Sequence, residues 1–480
     1  MRPRTVIVAA FALAALLPIP AAWGQATDWK QIPKPPLRPF VPHQPQRFVL
    51  ASGMVVLLQP DSELPLVHGF ARIRGGSREE PGPKAGLVSL YGEAWRTGGT
   101  RVRTGDDLDD FLESRAASVE TSGALDSTSI SFDCLKGNLD EVFQVFVELL
   151  KEPEFRDDKL LLAKDSLSTG IARRNDNPAG IASREARKLV YGADSPYART
   201  PEYATIGAVN RGDLLAWHKR FVHPNNIILG ISGDFDPKGM EARLVRAFGS
   251  WPRGPVAEKA KVEFKDPKPG VYFVAKDDVN QSNIRIAHLG TTRSNPDYYA
   301  LEVMNEVFGG GFSSRLVSNI RTKKGLAYSV GGGVGMGFEA PGLFQVGMAT
   351  KSETTAVAID ALYEEIDALK KDPATDEELR RAKDSILNSF IFEFDSRDKV
   401  LGEKMLYEFY GYPSDFLERY RAGVEKVTRG DVARVATKYV RREALAVLVV
   451  GKAADFDRPL SSFGPVTGVD IAIPEPKEAQ

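Results

Sequence analysis

Arg321 and Tyr328 stand seven residues apart in the run GGGFSSRLVSNIRTKKGLAYSVGGG, from Gly309 to Gly333. A guanidinium is permanently cationic with five N–H donors, and a phenol adds a neutral O–H donor, so together they could hold one oxyanion or one peptide carbonyl. Seven residues are nearly two α-helical turns, which would put both groups on one face. Gly325 points to another layout, with a helix ending near Lys324 and the alternating segment LAYSV as a strand that carries the tyrosine. Such a strand could also offer an edge to an extended peptide. Gly309, Gly310 and Gly311 follow a helical pattern and lack a Gly-Lys-Ser/Thr ending, so they read as a tight turn and not as a phosphate loop.

Other chemistries find little support. No G-x-S-x-G elbow occurs, and the single Cys134 lies in the alternating stretch SISFDCL, where it reads as strand filler. The five histidines are His43, His68, His218, His223 and His288. The closest two are five positions apart, a rotation of about 140° on a helix, away from a shared face. No metal site is expected on this chain.

These groups must be positioned by a scaffold, and its plan is visible as a repetition. RGDLLAWHKRFV begins at Arg211 and RGDVARVATKYV at Arg429, each followed by an apolar strand ending in Gly233 or Gly451, an offset of 218 in both cases. AKDS recurs at Ala163 and Ala382, and Lys151-Glu152-Pro153 is echoed by Lys371-Asp372-Pro373. Two copies of one module follow from these landmarks, over residues 47–252 and 271–466, joined by a linker at 253–270 and ending in a tail at 467–480. Strands and helices are grouped within a copy, which predicts an α+β fold: a mixed, mostly antiparallel sheet with helices on one face. Thr104 and Asp107 suit a capping box. The two RGD triplets open equivalent helices, where the aspartate favours the first turn.

The second half is similar to the smaller bacterial type of the insulinase/pitrilysin zinc peptidases, through VNQSNIRIAHLG from Val279, NPDYYALEVMNEVFGGGFSSRL from Asn295 and IRTKKGLAYSV from Ile320. That resemblance implies two homologous α/β-sandwich modules forming half of a clam-like chamber, an H-x-x-E-H motif in the first and an Arg/Tyr pair in the second. GSREEPGPKAGLVSLYGEAWRTGG, from Gly76, aligns without a gap and puts the three motif positions at Ser89, Gly92 and Glu93. Both histidines and the catalytic glutamate are missing. The helix that would supply a third ligand, around Ala163 to Arg174, offers only Asp165. By resemblance, then, the chain is the non-zinc subunit of a two-chain metallopeptidase. Arg321 and Tyr328 would serve substrate binding and oxyanion stabilisation, Gln281, Ser282 and Gly309 to Gly311 would touch the peptide, and zinc would sit on an H-x-x-E-H-bearing partner. The rival expectation is a catalytically inert structural or peptide-binding subunit.

Composition is ordinary for a globular chain of 480 residues, with 42% hydrophobic and 26% charged residues. Residues 1–26 have the layout of a signal peptide: Arg2 and Arg4, an apolar run from Val6 to Leu17, then small residues that allow cleavage after Gly24 or Ala26. Its removal takes away two arginines and no acid, moving the formal charge from −1 to −3. That balance gives no basis for nucleic-acid binding. A periplasmic or secreted protein is expected, with no stable membrane span after cleavage and a proline-rich lead-in at 27–46.

Overall fold

The computed structural model describes residues 43–256 and 261–475. The expected signal peptide and nearly all of the proline-rich lead-in lie outside the described residues, as does part of the linker and of the tail. Among the described residues no helix is long and apolar enough to cross a membrane.

Two six-stranded mixed sheets carry the chain. The first holds β1 (Gln46–Val49), β2 (Val55–Pro60), β3 (Leu66–Arg74), β4 (Ser118–Gly123), β5 (Ser127–Leu135) and β6 (Ile227–Gly233), in the order β1-β2-β6-β3-β5-β4. Further along come β7 (Gly270–Ala275), β8 (Gln281–Leu289), β9 (Thr291–Thr292), β10 (Val330–Val334), β11 (Met336–Gly337), β12 (Leu343–Lys351), β13 (Ala446–Gly451) and β14 (Val466–Gly468). The second sheet runs β10-β12-β8-β13-β7-β14, while β9 and β11 form a small pair. Read from opposite ends, β2, β6, β3, β5 and β4 match β7, β13, β8, β12 and β10. In both series the first strand pairs in parallel with the second, β2 with β6 and β7 with β13, and the other pairs are antiparallel.

The recurring landmarks prove to touch one another. Arg211 Nε donates to the carbonyl of Glu154, just after Lys151-Glu152-Pro153, and Arg429 Nε donates to that of Ala374, just after Lys371-Asp372-Pro373. The aspartates of the RGD triplets close capping boxes: Asp213 accepts from the Asn210 N–H at 2.9 Å and Asp431 from the Thr428 N–H at 3.0 Å. Thr104 and Asp107 do the same ahead of the helix Gly105–Glu113. Cys134 is buried in β5, and burial pushes its thiol up to about 11.

Each sheet packs one face on helices of its own half, as expected; Val56, Leu58, Leu229 and Ile231 point into the first core and Val447 and Val449 into the second. The opposite faces are where sequence reasoning stopped short. Leu57 and Ile228 pack against Leu401, Met405 and Phe409 of the helix Arg397–Tyr410, which belongs to the second half. Val274, Leu448 and Val450 pack against Ile181, Ala182 and Ala186 of the helix Pro178–Tyr191, which belongs to the first. Polar contacts lock the exchange: Arg47 with Glu408 at 2.8 Å, the Tyr410 hydroxyl with Asp126, the Tyr191 hydroxyl with the Pro341 carbonyl at 2.8 Å, and Arg78 with Glu339.

Between helices of the second half, burial raises the carboxyls of Glu302 and Glu403 above the usual range, with Tyr298 and Tyr420 donating to the first and Tyr407 to the second; Arg293 opposes the shift and Glu393 adds to it. A folded-state value above the unfolded one means that the folded protein binds more protons, so stability from these groups grows as pH falls towards about 4.3. Glu302→Gln keeps an acceptor for the tyrosines and removes the buried charge. Its Tm should exceed that of the parent at pH 8, and the gain should shrink as pH falls to 5, as read by calorimetry across that range.

Candidate functional site

The groove around Arg321 is framed by two stretches of wide π-helical turn, Glu306–Gly310 and Val317–Lys323. Here the expected α-helical geometry is corrected, because Lys324 N–H bonds the Asn319 carbonyl five residues back at 3.0 Å. The stop at Lys324 is as expected. Gly325 takes φ +64°, a conformation that favours glycine, and the Leu326 N–H returns to the Ile320 carbonyl at 3.0 Å to close the end. The strand begins later than expected: β10 starts at Val330, so Tyr328 lies in the approach to it. β10 is the edge of its sheet, as a peptide-pairing strand would need to be.

Among the described residues, the anchors around the groove leave Arg321 without a carboxylate partner. Arg315 grips Glu378 through two bonds of 2.8 and 2.9 Å and holds that carboxyl down to about 2, fixing the start of this segment. Lys323 bonds Asn319 at 2.9 Å and Lys324 pairs with Glu364 at 2.7 Å. Thr350 of β12 holds the Leu326 carbonyl at 2.7 Å. Arg321 meets two aromatic rings instead, lying 5.0 Å from the centroid of Phe312 and 4.9 Å from that of Tyr328. Both rings stand in solvent, at 81% and 86% exposure.

Gly309, Gly310, Gly311, Phe312, Arg321 and Tyr328 all line one open groove of about 270 Å³. Five of these six were expected from the sequence, and the structure brings them together. Phe312 was missed, although its place directly after three glycines was a usable signal. Gln281 and Ser282 are not in the groove. Ser282 is fully buried in β8 with its hydroxyl 2.6 Å from that of Thr355, and Gln281 lines a different pocket with Asp278 and Asn280.

The three motif positions fall on the helix Leu87–Thr97. Ser89 and Glu93 are exposed one turn apart, while Gly92 is buried against β4. A β-carbon at Gly92 would lie 2.5 Å from Gly123 N and 2.8 Å from Ser122 C, so no glutamate enters there without moving backbone. Zinc needs neutral imidazoles and a carboxylate at these positions, and a serine, a glycine and one solvated glutamate do not fit it. The histidines serve elsewhere. His218 bonds the Tyr91 hydroxyl at 2.8 Å and is pushed down to about 3 by burial; His288, stacked on Phe344, is pushed down to about 4 by burial. Among the described residues no cluster of three or more His, Cys, Asp or Glu could hold a metal ion.

If the groove takes a peptide and the rings steady Arg321 in it, Phe312→Ala should leave Tm unchanged, because the ring is solvent-exposed, and weaken that binding about two- to five-fold, the worth of one exposed cation–π contact. Fluorescence anisotropy with a labelled unfolded peptide would read the second effect.

Comparison with known proteins identifies the family and the fold. Residues 66–190 match the family model described as insulinase (peptidase family M16), and residues 208–386 match the one described as the peptidase M16 inactive domain. An uncharacterized zinc protease of Mycobacterium tuberculosis is 25% identical over 425 residues, covering 86% of this chain and 95% of that protein. The non-peptidase homolog YmxG of Helicobacter pylori is 24% identical over 385 residues, covering 78% and 87%. The crystal structure of a peptidase M16 inactive domain from Pseudomonas fluorescens shares the fold at a TM-score of 0.76 and 24% identity, over 85% of this chain and 98% of that one. With residues 66–190 and 208–386 matched by two models of one family, and with the paired sheets in place, the chain belongs to the insulinase (M16) peptidase family.

Proposed function

We propose that this chain is the non-zinc subunit of a two-chain metallopeptidase, exported to the periplasm or secreted, that holds a peptide while an H-x-x-E-H-bearing partner cuts it. The observation that carries this reading is an asymmetry: the Arg321 groove of the second half is open, and the motif helix of the first half carries no histidine and a single exposed carboxylate, Glu93. The partner would supply the zinc and the general base. The groove's own contribution comes from Arg321 and Tyr328, whose donors are spent on no carboxylate among the described residues. Both can donate to a peptide carbonyl, and they hold its oxygen more tightly as the carbon turns tetrahedral and charge builds on that oxygen. Gly309 to Gly311 line the same groove without side chains of their own, with the Glu306 carboxylate lying against Gly310 and Gly311.

A second reading is favoured by the inactive-domain description and by the relative named as a non-peptidase homolog: an inert structural or peptide-binding subunit. Reconstitution separates the two. Alone, the chain should contain no stoichiometric zinc and cleave no peptide; with its partner, activity should appear and fall about 10²-fold or more on Arg321→Ala or Tyr328→Phe. Full activity with both residues replaced would establish the inert subunit, and chelator-sensitive proteolysis by the single chain would overturn both readings.

A further inference from the structure

The two sheets end in edge strands at equivalent places, β4 in the first half and β10 in the second, and in both a preceding helical segment lies against the edge. Alternate residues of an antiparallel edge strand turn their N–H and C=O groups outward. In β4 these are Val119, Thr121 and Gly123, since Arg96 Nε bonds the outward Val119 carbonyl at 3.1 Å. The Thr121 hydroxyl donates to the Gly92 carbonyl at 2.7 Å and accepts from the Arg96 N–H at 3.1 Å. Gly123 meets the helix backbone directly: a β-carbon on it would lie 2.3 Å from the Val88 carbonyl oxygen, and one on Gly92 would lie 2.5 Å from Gly123 N. The helix Leu87–Thr97 thus contacts all three of these residues: it bonds the Val119 carbonyl and the Thr121 side chain, and its backbone lies against Gly123.

β10 is covered less completely. Val334 exchanges bonds with the Asn305 amide at 2.8 and 3.0 Å, and Gly332 is approached by Gly309, where a β-carbon would lie 2.5 Å from the Gly332 oxygen. Val330, the third outward position, is buried as a residue but meets no bond or close backbone approach of this kind among the described residues, and it lines the groove beside Arg321 and Tyr328.

We infer that the motif helix of the first half and β4 form a closed seam, so that restoring the zinc ligands cannot restore a site there and, of the two equivalent edges β4 and β10, it is β10 that offers an extended polypeptide a strand edge, at Tyr328 to Val330. The seam is a matter of backbone contact, not of three missing ligands. The peptide half of the inference rests on the peptide-holding role proposed above; the seam does not.

Two experiments on the full chain test it. Gly92→Ala should lower Tm by several degrees, because its methyl group meets β4 backbone, whereas Ser89→His with Glu93→His, both exposed positions, should leave Tm near that of the parent. The complete replacement S89H/G92E/E93H, combined with Asp165→Glu to supply the third ligand type, should bind no stoichiometric zinc. A parent-like Tm for Gly92→Ala, or one tightly held zinc in the complete replacement, would overturn the seam whether or not the other variants fold. Hydrogen exchange of the parent chain with reduced, carboxymethylated α-lactalbumin as an unfolded ligand should then show new protection at residues 328–332 and none at 118–123. Binding with protection at 118–123 would overturn the single-edge inference, while absence of any binding would overturn the peptide-holding role itself and leave the seam to the Tm and zinc results.

Discussion

A sheet with apolar residues on both faces must be covered twice, and in this protein the second cover of each sheet comes from the other half of the chain. Leu401, Met405 and Phe409 close the outer face of the first sheet, and Ile181, Ala182 and Ala186 close that of the second. Neither half would have a complete second layer if its neighbour were removed. The exchange also explains why charged contacts such as Arg47 with Glu408 and Arg78 with Glu339 cross between the halves where they do. They sit around apolar joints that burial has already fixed, and they select how those joints close.

On that frame the two halves use one device with different outcomes. In each, a helical segment is held against the outward groups of an edge strand, as proteins often do to keep edges from pairing with strangers. In the first half the contact is complete, glycine on glycine, with Thr121 and Arg96 binding strand to helix. In the second half the helical segment widens into π turns and stops at Gly311, leaving Val330 and the Arg321 groove beyond it. Wide turns of this kind are rare and recur at functional sites, where they re-aim side chains that a regular helix would place elsewhere. The open groove and the closed seam are therefore two settings of the same local architecture.

Much of this could be read from residue types alone. The capping boxes at Thr104, Asn210 and Thr428 are local hydrogen-bonding patterns, so the sequence near them suffices. The Arg321, Tyr328 and triple-glycine set was legible because its members lie within twenty residues of one another. What could not be read depends on tertiary contact. The π geometry of Val317–Lys323 leaves no mark on hydrophobic spacing, and it moved the start of β10 from the expected LAYSV to Val330. The burial of Ser282 against Thr355 follows from strand register, which a single sequence does not give. Gly92 read as a lost catalytic residue, and only its approach to Gly123 shows that the position is now structural. The exchanged helices join segments that lie from 88 residues (Ala186 to Val274) to 352 residues (Leu57 to Phe409) apart, beyond the reach of any local pattern.

The central claim is that a polypeptide cut elsewhere is held here, in the groove between Gly309 and Val330. Photo-crosslinking tests it most directly, with a peptide carrying benzoylphenylalanine next to its scissile bond, bound to the assembled zinc-containing complex and mapped by mass spectrometry. The account predicts adducts on this chain within residues 309–330, centred on Phe312 and Tyr328. Adducts confined to the partner, or on this chain along Leu87–Thr97, would contradict it.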